Sequence, residues 1–269
     1  MNKPSLSDYG TYDESTVPQL WDGVVGAWCP SLGPTGSRLH DFSRYGNWGT
    51  LTNMDPASDW VVDGGQYALD FDGSNDYVTF GNPPVLNTMV SLTVAFWVYH
   101  RSASFFELGK YRSSGYGFLI YGAPATGFQF DGRDGGGYLS SGASGPYNQN
   151  QWYHVIGRKA GNVWSIAVNG VQKNSTTTGT GTTAMSNSNP FEIGRLLADA
   201  SPEGYLNGLM DDVVIWSRAI TAGEMWQLYQ LGRGGMFQRR RLRRAYVSEA
   251  VNRSYLFVNR GQVIGGGTL

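Results

Sequence analysis

The sequence predicts an all-β fold, a sandwich or barrel of short strands, and three observations predict it. Glycine occurs 38 times, aromatic residues make up 14% and charged residues only 15%. That mix suits many tight turns and broad apolar faces rather than long solvated helices. From Trp21 onward, short apolar runs alternate with clusters of Gly, Asn, Asp and Pro, the pattern of strand following strand rather than strand following helix. Finally, Ser91 to Tyr99 sets Leu92, Val94, Phe96 and Val98 against Thr93, Ala95, Trp97 and Tyr99. Both faces of that run are largely apolar, which predicts a central strand covered on both sides. A length of 269 residues fits one large β domain or two average ones.

In chain order, residues 1–20 are polar, contain Pro4 and Pro18 and follow neither the helical nor the strand period; they read as an extended N-terminal arm. Residues 21–232 form the body. Its predicted strands are Tyr77–Phe80, Ser91–Tyr99, Gly117–Tyr121, Gly127–Phe130, Trp152–Arg158, Val163–Val168, Phe191–Ile193 and Leu209–Trp216. Asn169-Gly170 is a strong hairpin signal, because both residues tolerate positive φ, and it pairs Val163–Val168 with Val171–Ser175. Residues 175–189 are nearly all Ser, Thr, Gly and Asn without charge, the composition of a flexible surface loop. One helix is expected. Thr221 and Glu224 form a capping box, Met225, Leu228 and Tyr229 supply an apolar face, and Gly232 stops it. The region 233–269 reads as a C-terminal arm with a small hairpin around Asn259-Arg260-Gly261.

Charge divides the chain. Residues 233–269 hold eight arginines and one acid, net +7, while residues 1–232 carry −8. Arg239, Arg240, Arg241, Arg243 and Arg244 are the densest part of that run and the candidate partner-binding residues. A dense arginine run repels itself and gains by meeting carboxylate or phosphate. Aromatic interleaving is sparse and the acidic body would repel a duplex, so an acidic protein surface is expected in preference to nucleic acid. No apolar run is long enough to span a membrane, and the opening residues carry no apolar segment of a secretory signal. The single cysteine, Cys29, excludes an intrachain disulfide, leaving stability to the hydrophobic core.

Four segments together resemble the concanavalin A-like lectin/glucanase jelly rolls, in particular the laminin G-like and pentraxin-like modules. They are ALDFDGSNDYV (68–78), SLTVAFWV (91–98), QWYHVIGRKAGNVWSIAVNGV (151–171) and YLNGLMDDVVIWSRAIT (205–221), in that order. GVVGAWCPS (23–31) resembles the opening strand of such modules. The resemblance implies two antiparallel sheets in a jelly-roll sandwich, with loops that bind sugars or proteins and often one structural calcium. Calcium takes six to eight oxygens, and Asp72, Asn75 and Asp76 with Asp211 or Asp212 are the candidate ligands. The same residues equally suit a tight turn at FDGSND and a β-bulge, or a pairing with Arg218, at Asp211-Asp212. The denser acidic pairs with which pentraxins bind ligand through calcium are missing.

Catalytic patterns are missing too. Glucanases of this fold resemble one another in Glu-x-Asp-x-x-Glu, which puts two carboxylates on one strand face, and that spacing does not occur here. Of the histidines His40, His100 and His154, the last sits in a core-strand motif and reads as structural. There is no Gly-x-Ser-x-Gly elbow, P-loop or Cys/His metal cluster. The expectation is therefore a non-enzymatic binding protein. Sugar binding uses exposed aromatic platforms, and Tyr116, Tyr121, Tyr138 and Tyr147, in or beside glycine-rich loops, are the candidates. Trp97, Trp152, Trp164 and Trp216 lie within strands and are assigned to the core.

Two roles fit. VVGAWCPSLGPTG near the start and RGGMFQRRRLRRA with IGGGTL at the end resemble phage-like and environmental bacterial sequences. With no export signal and two arms, this points to a phage virion component that decorates or stabilises a capsid or binds the host surface. It would dock its arms on acidic protein and assemble as a homo-oligomer. The alternative is a free, extracellular bacterial carbohydrate-binding module, with a glycan hydrolase or lyase behind both.

Overall fold

The computed structural model describes residues 17–103, 106–111, 116–134, 137–198 and 201–237. The arginine run 239–244, the hairpin expected near 254–264 and most of the N-terminal arm lie outside the described residues. The chain begins with α1 (Pro18–Trp21), β1 (Val24–Trp28), β2 (Arg38–Leu39), β3 (Gly49–Thr52), β4 (Trp60–Asp63), β5 (Gln66–Asp72) and β6 (Tyr77–Thr79). Next come β7 (Leu92–His100), β8 (Leu108–Lys110), β9 (Tyr116–Ala123), β10 (Gly127–Asp134), β11 (Tyr138–Ser140), β12 (Trp152–Ala160), β13 (Val163–Val168) and β14 (Val171–Thr177). The last elements are β15 (Glu192–Ile193), β16 (Arg195–Ala198), β17 (Ser201–Tyr205), β18 (Asn207–Trp216) and α2 (Ala222–Leu231). Neither helix is long and apolar enough to cross a membrane.

The strands form two eight-stranded antiparallel sheets and one separate hairpin, as the sandwich expectation requires. The first sheet runs β14-β13-β12-β7-β18-β5-β4, with β1 also on β18. The second runs β11-β10-β9-β8-β15-β6-β3-β2, and β16 pairs with β17 alone. The order within β18 matters most. One edge lies along β7, while the other is shared: its first half pairs with β5 and its second half with β1. Where the partner changes, at Asp211 and Asp212, the ladder bulges and Asp212 takes a φ of 48°.

Between the sheets the alternate residues of β7, Leu92, Val94, Phe96 and Val98, meet Phe71, Phe118, Phe128, Phe130 and Trp164 in one apolar core. Within it Trp28 meets Phe80 at a tilt, ring centroids 4.3 Å apart, and Phe80 stacks on Phe191 at 5.0 Å. The opposite face of β7 is also covered. Ala95 joins Val214, Trp216, Met225 and Leu228 in a second core, and Tyr229 of α2 stacks on Trp97 at 5.9 Å. Two-sided burial of this strand is what its doubly apolar sequence predicts. The capping box forms as expected: the Glu224 amide donates to Thr221 Oγ1 at 3.2 Å and the Thr221 amide to Glu224 Oε2 at 2.7 Å. The Asn169-Gly170 turn also forms, both residues having positive φ, and joins β13 to β14.

Three expectations need correction. The inner ends of both arms belong to the packed body. Val17 and Leu20 are buried, as are Met236 and Phe237, and the Trp21 and Phe237 rings meet edge-on at 5.5 Å. Apolar residues at these positions gain more from covering the outer face of the first sheet than from solvation. Secondly, the loop at 175–189 is anchored and not merely flexible. Met185 is wholly buried, and the Asn187 side-chain amide donates to the carbonyls of Lys110 and Tyr116 at 3.1 and 2.6 Å. Composition reports the absence of charge, not what a lone Met or Asn reaches. Thirdly, Arg218 pairs with Glu224 at 2.5 Å instead of with Asp211 or Asp212.

Candidate functional site

On the outer face of the second sheet the exposed Tyr138 ring meets the half-buried Tyr121 and Arg133 and the buried Asp131. Residues opposite each other in an antiparallel ladder share a face. Asp131 lies opposite Leu119 and Ser140, and Arg133 opposite Tyr138. Phe128 and Phe130 point into the core, so Gln129, Asp131 and Arg133 point outward. On β9 the same alternation turns Leu119 and Tyr121 outward. Tyr111, Leu119 and Leu196 form a small apolar cluster on this face, with Phe106 and Tyr121 packed against it.

Tyr138 is 53% exposed, and its hydroxyl donates to Asp131 Oδ2. The Tyr121 hydroxyl lies 3.5 Å from that of Tyr138. Arg133 Nε donates to the Tyr111 hydroxyl at 2.8 Å. Asp131 is fully buried beneath these groups. Burial pushes its carboxyl up, partly offset by the hydroxyls of Ser140, Tyr138 and Tyr121. Burial likewise raises the Tyr121 phenol to about 12. At neutral pH both tyrosines are uncharged donors. The carboxyl does not face solvent; it orients the rings. A tyrosine held in this way offers a flat apolar face and a polar rim without first having to be ordered.

Of the four tyrosines expected to bind sugar, the structure brings together only Tyr121 and Tyr138. Tyr116 opens β9 opposite Asp134 and, five residues from Tyr121, falls on the other side of the strand's alternation. Tyr147 is a core residue. Its ring stacks on Phe128 at 4.6 Å and its hydroxyl bonds to His100 Nδ1, while His100 Nε2 lies 3.0 Å from Glu107 Oε1. All three groups are buried, and burial raises both the Tyr147 phenol and the Glu107 carboxyl. A glycine-rich setting does not reveal that the ring turns inward to a histidine. Asp131 and Arg133 were not among the sequence candidates. The signal for them is present in FQFDGRD, where apolar Phe128 and Phe130 fix the outward face. Of the tryptophans, Trp97, Trp164 and Trp216 are buried and Trp152 is partly so.

The four residues expected to hold calcium do not form one site. Asp72 lies opposite Asn207, and Asp211 lies four residues farther along β18, about 13 Å at ~3.3 Å per residue. Asp72 Oδ1 instead accepts from the Ser74 and Asn75 amides at 2.7 and 3.3 Å, and Asp76 Oδ2 from the Asp72 amide at 3.1 Å, the bonds of a tight turn. Asp211 belongs to a buried cluster with Asp212 and Cys29. The Cys29 thiol donates to Asp212 Oδ1 at 2.9 Å, the Ser31 amide to Asp211 Oδ1 at 3.0 Å, and the Gly234 amide to Asp212 Oδ2. A thiol and two enclosed carboxyls are a poor match for an ion that takes six to eight oxygens. Burial raises Cys29, Asp211 and Asp212, so the cluster favours protonated groups.

With this geometry in view, residues 72–225 match the model of the family described as the concanavalin A-like lectin/glucanases superfamily. Among solved structures, domain 4 of AbnA, a GH43 extracellular arabinanase from Geobacillus stearothermophilus in complex with arabinotriose, is similar at 15% identity and a TM-score of 0.59. That match covers 77% of this chain and 98% of the arabinanase domain. The binding domain of Paraclostridial Mosquitocidal Protein 1 is similar at 15% identity and a TM-score of 0.61, covering 80% of this chain and 54% of that one. Trypanosoma rangeli sialidase in complex with sialic acid gives 17% and 0.52, covering 77% of this chain and 33% of that one. The chain thus spans nearly all of the arabinanase domain but only about half and a third of the other two. A search of curated proteins found no significant match.

Proposed function

The chain belongs to the concanavalin A-like lectin/glucanase superfamily, as a laminin G-like jelly roll, and from that premise we propose that it is a non-catalytic glycan-binding module. The observation that carries this reading is the Tyr138 ring, exposed on an open sheet face and held by Asp131 beside Tyr121. A pyranose or furanose ring would stack on Tyr138 while its hydroxyls meet the Tyr121 hydroxyl and Arg133. Neighbouring folds support the reading: the arabinanase domain is in complex with arabinotriose, and cell entry of botulinum neurotoxin type C is dependent upon interaction with two ganglioside molecules. Among the described residues, the two acids on this face, Asp131 and Glu192, favour binding over hydrolysis. Asp131 is buried under tyrosine hydroxyls, and Glu192 is held by Arg195 at 2.7 Å. Neither carboxyl is presented to a substrate, and general acid and nucleophile roles need two that are.

The charge asymmetry carries a finer reading: the module is displayed by a larger particle, a phage virion, to which the arginine-rich segment 239–244 docks it through an acidic protein surface. Isothermal titration against arabino-, gluco- and galacto-oligosaccharides tests the first reading. At least one series should bind, with affinity falling about tenfold or more in a Tyr138→Ala variant that still melts cooperatively. No binding by the intact protein, or binding indifferent to Tyr138 and Tyr121, overturns it.

A further inference from the structure

One row of opposed residues crosses the whole outer face of the second sheet. It runs from Ser140 through Asp131, Leu119, Gly109, Glu192, Thr79 and Thr50 to Arg38 on the far edge. At that far edge Arg38, Gly46, Asn47, Trp48, Thr50 and Phe80 line an open cleft of about 450 Å³. Trp48 is 45% exposed there and Tyr45, three residues before it, 41%.

The loop that carries them is fixed. Asp41, itself buried, accepts from the Ala27, Ser43 and Asn47 amides at 2.9, 2.8 and 2.7 Å and from Ser43 Oγ at 2.8 Å. Asn47 bonds in turn to the opening strand: its side-chain amide donates to the Val25 carbonyl at 3.1 Å, and its own carbonyl accepts from Trp28 Nε1 at 2.8 Å. Each bond that holds Asn47 also holds its neighbour Trp48 in place. The His40 ring meets the indole edge-on at 4.4 Å. The Arg38 guanidinium stands 6.0 Å from the indole ring and has no carboxylate partner among the described residues.

We propose that the Arg38–Trp48 cleft is a second binding site, one that takes a carboxylated sugar. The indole supplies the apolar face on which a sugar ring stacks, and the guanidinium supplies the planar pair of donors that matches a carboxylate. A nucleic acid strand would also stack and pair, but the net charge of −8 over residues 1–232 opposes a polyanion in a way that it does not oppose one carboxylate. The site is independent of the tyrosine face, lying six strands from β10 in the sheet order, about 29 Å at ~4.8 Å per strand.

The test is isothermal titration of the full chain with galacturonate, glucuronate and sialyllactose, each carrying one carboxylate, and each beside a neutral sugar of equal length. At least one acidic sugar should bind, at least tenfold tighter than its neutral partner. Trp48→Ala should abolish that binding. Arg38→Gln should reduce it to the neutral level, and Tyr138→Ala should leave it unchanged. Both changed side chains are at the surface, so melting temperatures should match the parent. Failure of all three sugars to bind, no preference for charge, or binding that survives both Trp48→Ala and Arg38→Gln overturns the proposal. Loss of acidic-sugar binding in Tyr138→Ala alone would assign it to the tyrosine face instead. Binding of an unstructured DNA oligomer tighter than any sugar, and lost in Trp48→Ala, would make the cleft a nucleic-acid site.

Discussion

The Tyr138 hydroxyl donates to the buried Asp131 carboxylate seven residues earlier, across the β10–β11 hairpin. One group is exposed and the other fully enclosed, so the bond couples a surface ring to the interior. Removing the carboxylate should loosen the platform without removing it. Asp131→Asn keeps an acceptor and should change affinity for a neutral glycan less than threefold, while Asp131→Ala should cost about fivefold or more. Equal affinities in the two variants, measured by titration, would mean that the orientation of Tyr138 is unimportant.

Tyr147 should behave in the opposite way. Tyr147→Phe keeps the stack on Phe128 but leaves His100 Nδ1 without its partner. The expected loss is about 1–3 kcal/mol of stability by urea denaturation, with glycan affinity unchanged. Weaker binding at unchanged stability would return Tyr147 to the ligand site.

Asp76 makes stability depend on pH. Burial, with the charges of Asp72, Asp59 and Asp70, raises its carboxyl to about 6, against the lowering effect of the Asp72 amide. The folded state therefore holds this proton more tightly than the unfolded chain, whose carboxyl titrates near 3.9. The stability this contributes is fully present below about pH 4 and is lost as pH rises through about 6. Asp76→Asn should remove that loss and melt on the order of 5 °C above the parent at pH 7, with a smaller gain at pH 4.5. A pH-independent difference between the two proteins would count against the assignment.

Two truncations separate arm from body. Ending the chain after Phe237 should leave cooperative melting intact while abolishing joining to the proposed particle. Ending it after Gly232 also removes the buried Met236 and Phe237 and the Gly234 bond to Asp212, at a cost of about 3 kcal/mol or more. Equal melting temperatures would show that residues 233–237 contribute nothing to the fold.

Elements whose own residues set their geometry were legible in the sequence. Leu92 to Tyr99 alternates two apolar sets and is buried on both sides, Asn169-Gly170 turns, and Thr221 caps α2. Short strands such as β2, β8 and β11, unlike β6 and β15, were not read from the sequence, because two or three positions rarely let a period register. They exist because longer neighbours offer them hydrogen bonds. The site was half legible for a related reason. Tyr121, Tyr138 and Tyr147 all sit near glycines, but only the distant partners Asp131 and His100 decide which ring faces water. The calcium set failed similarly: Asp211 is close to β5 in the sheet, yet the four-residue offset along β18 places it beside Cys29 instead of Asp72.

The shared edge of β18 constrains the order in which the domain can be made. The opening strand, Val24–Trp28, has no strand to pair with until Val213–Trp216 exists; before that only its last residue, Trp28, finds a bridge, to Asp41. About 185 residues of chain must be closed into a loop for that pairing, and contacts so remote in sequence slow folding. During synthesis, Val24, Val25 and Trp28 therefore stay without their sheet partner until nearly the whole body has left the ribosome. A burst of protection at β7 and β12, with β1 last, is the order that pulse-labelling hydrogen exchange should record.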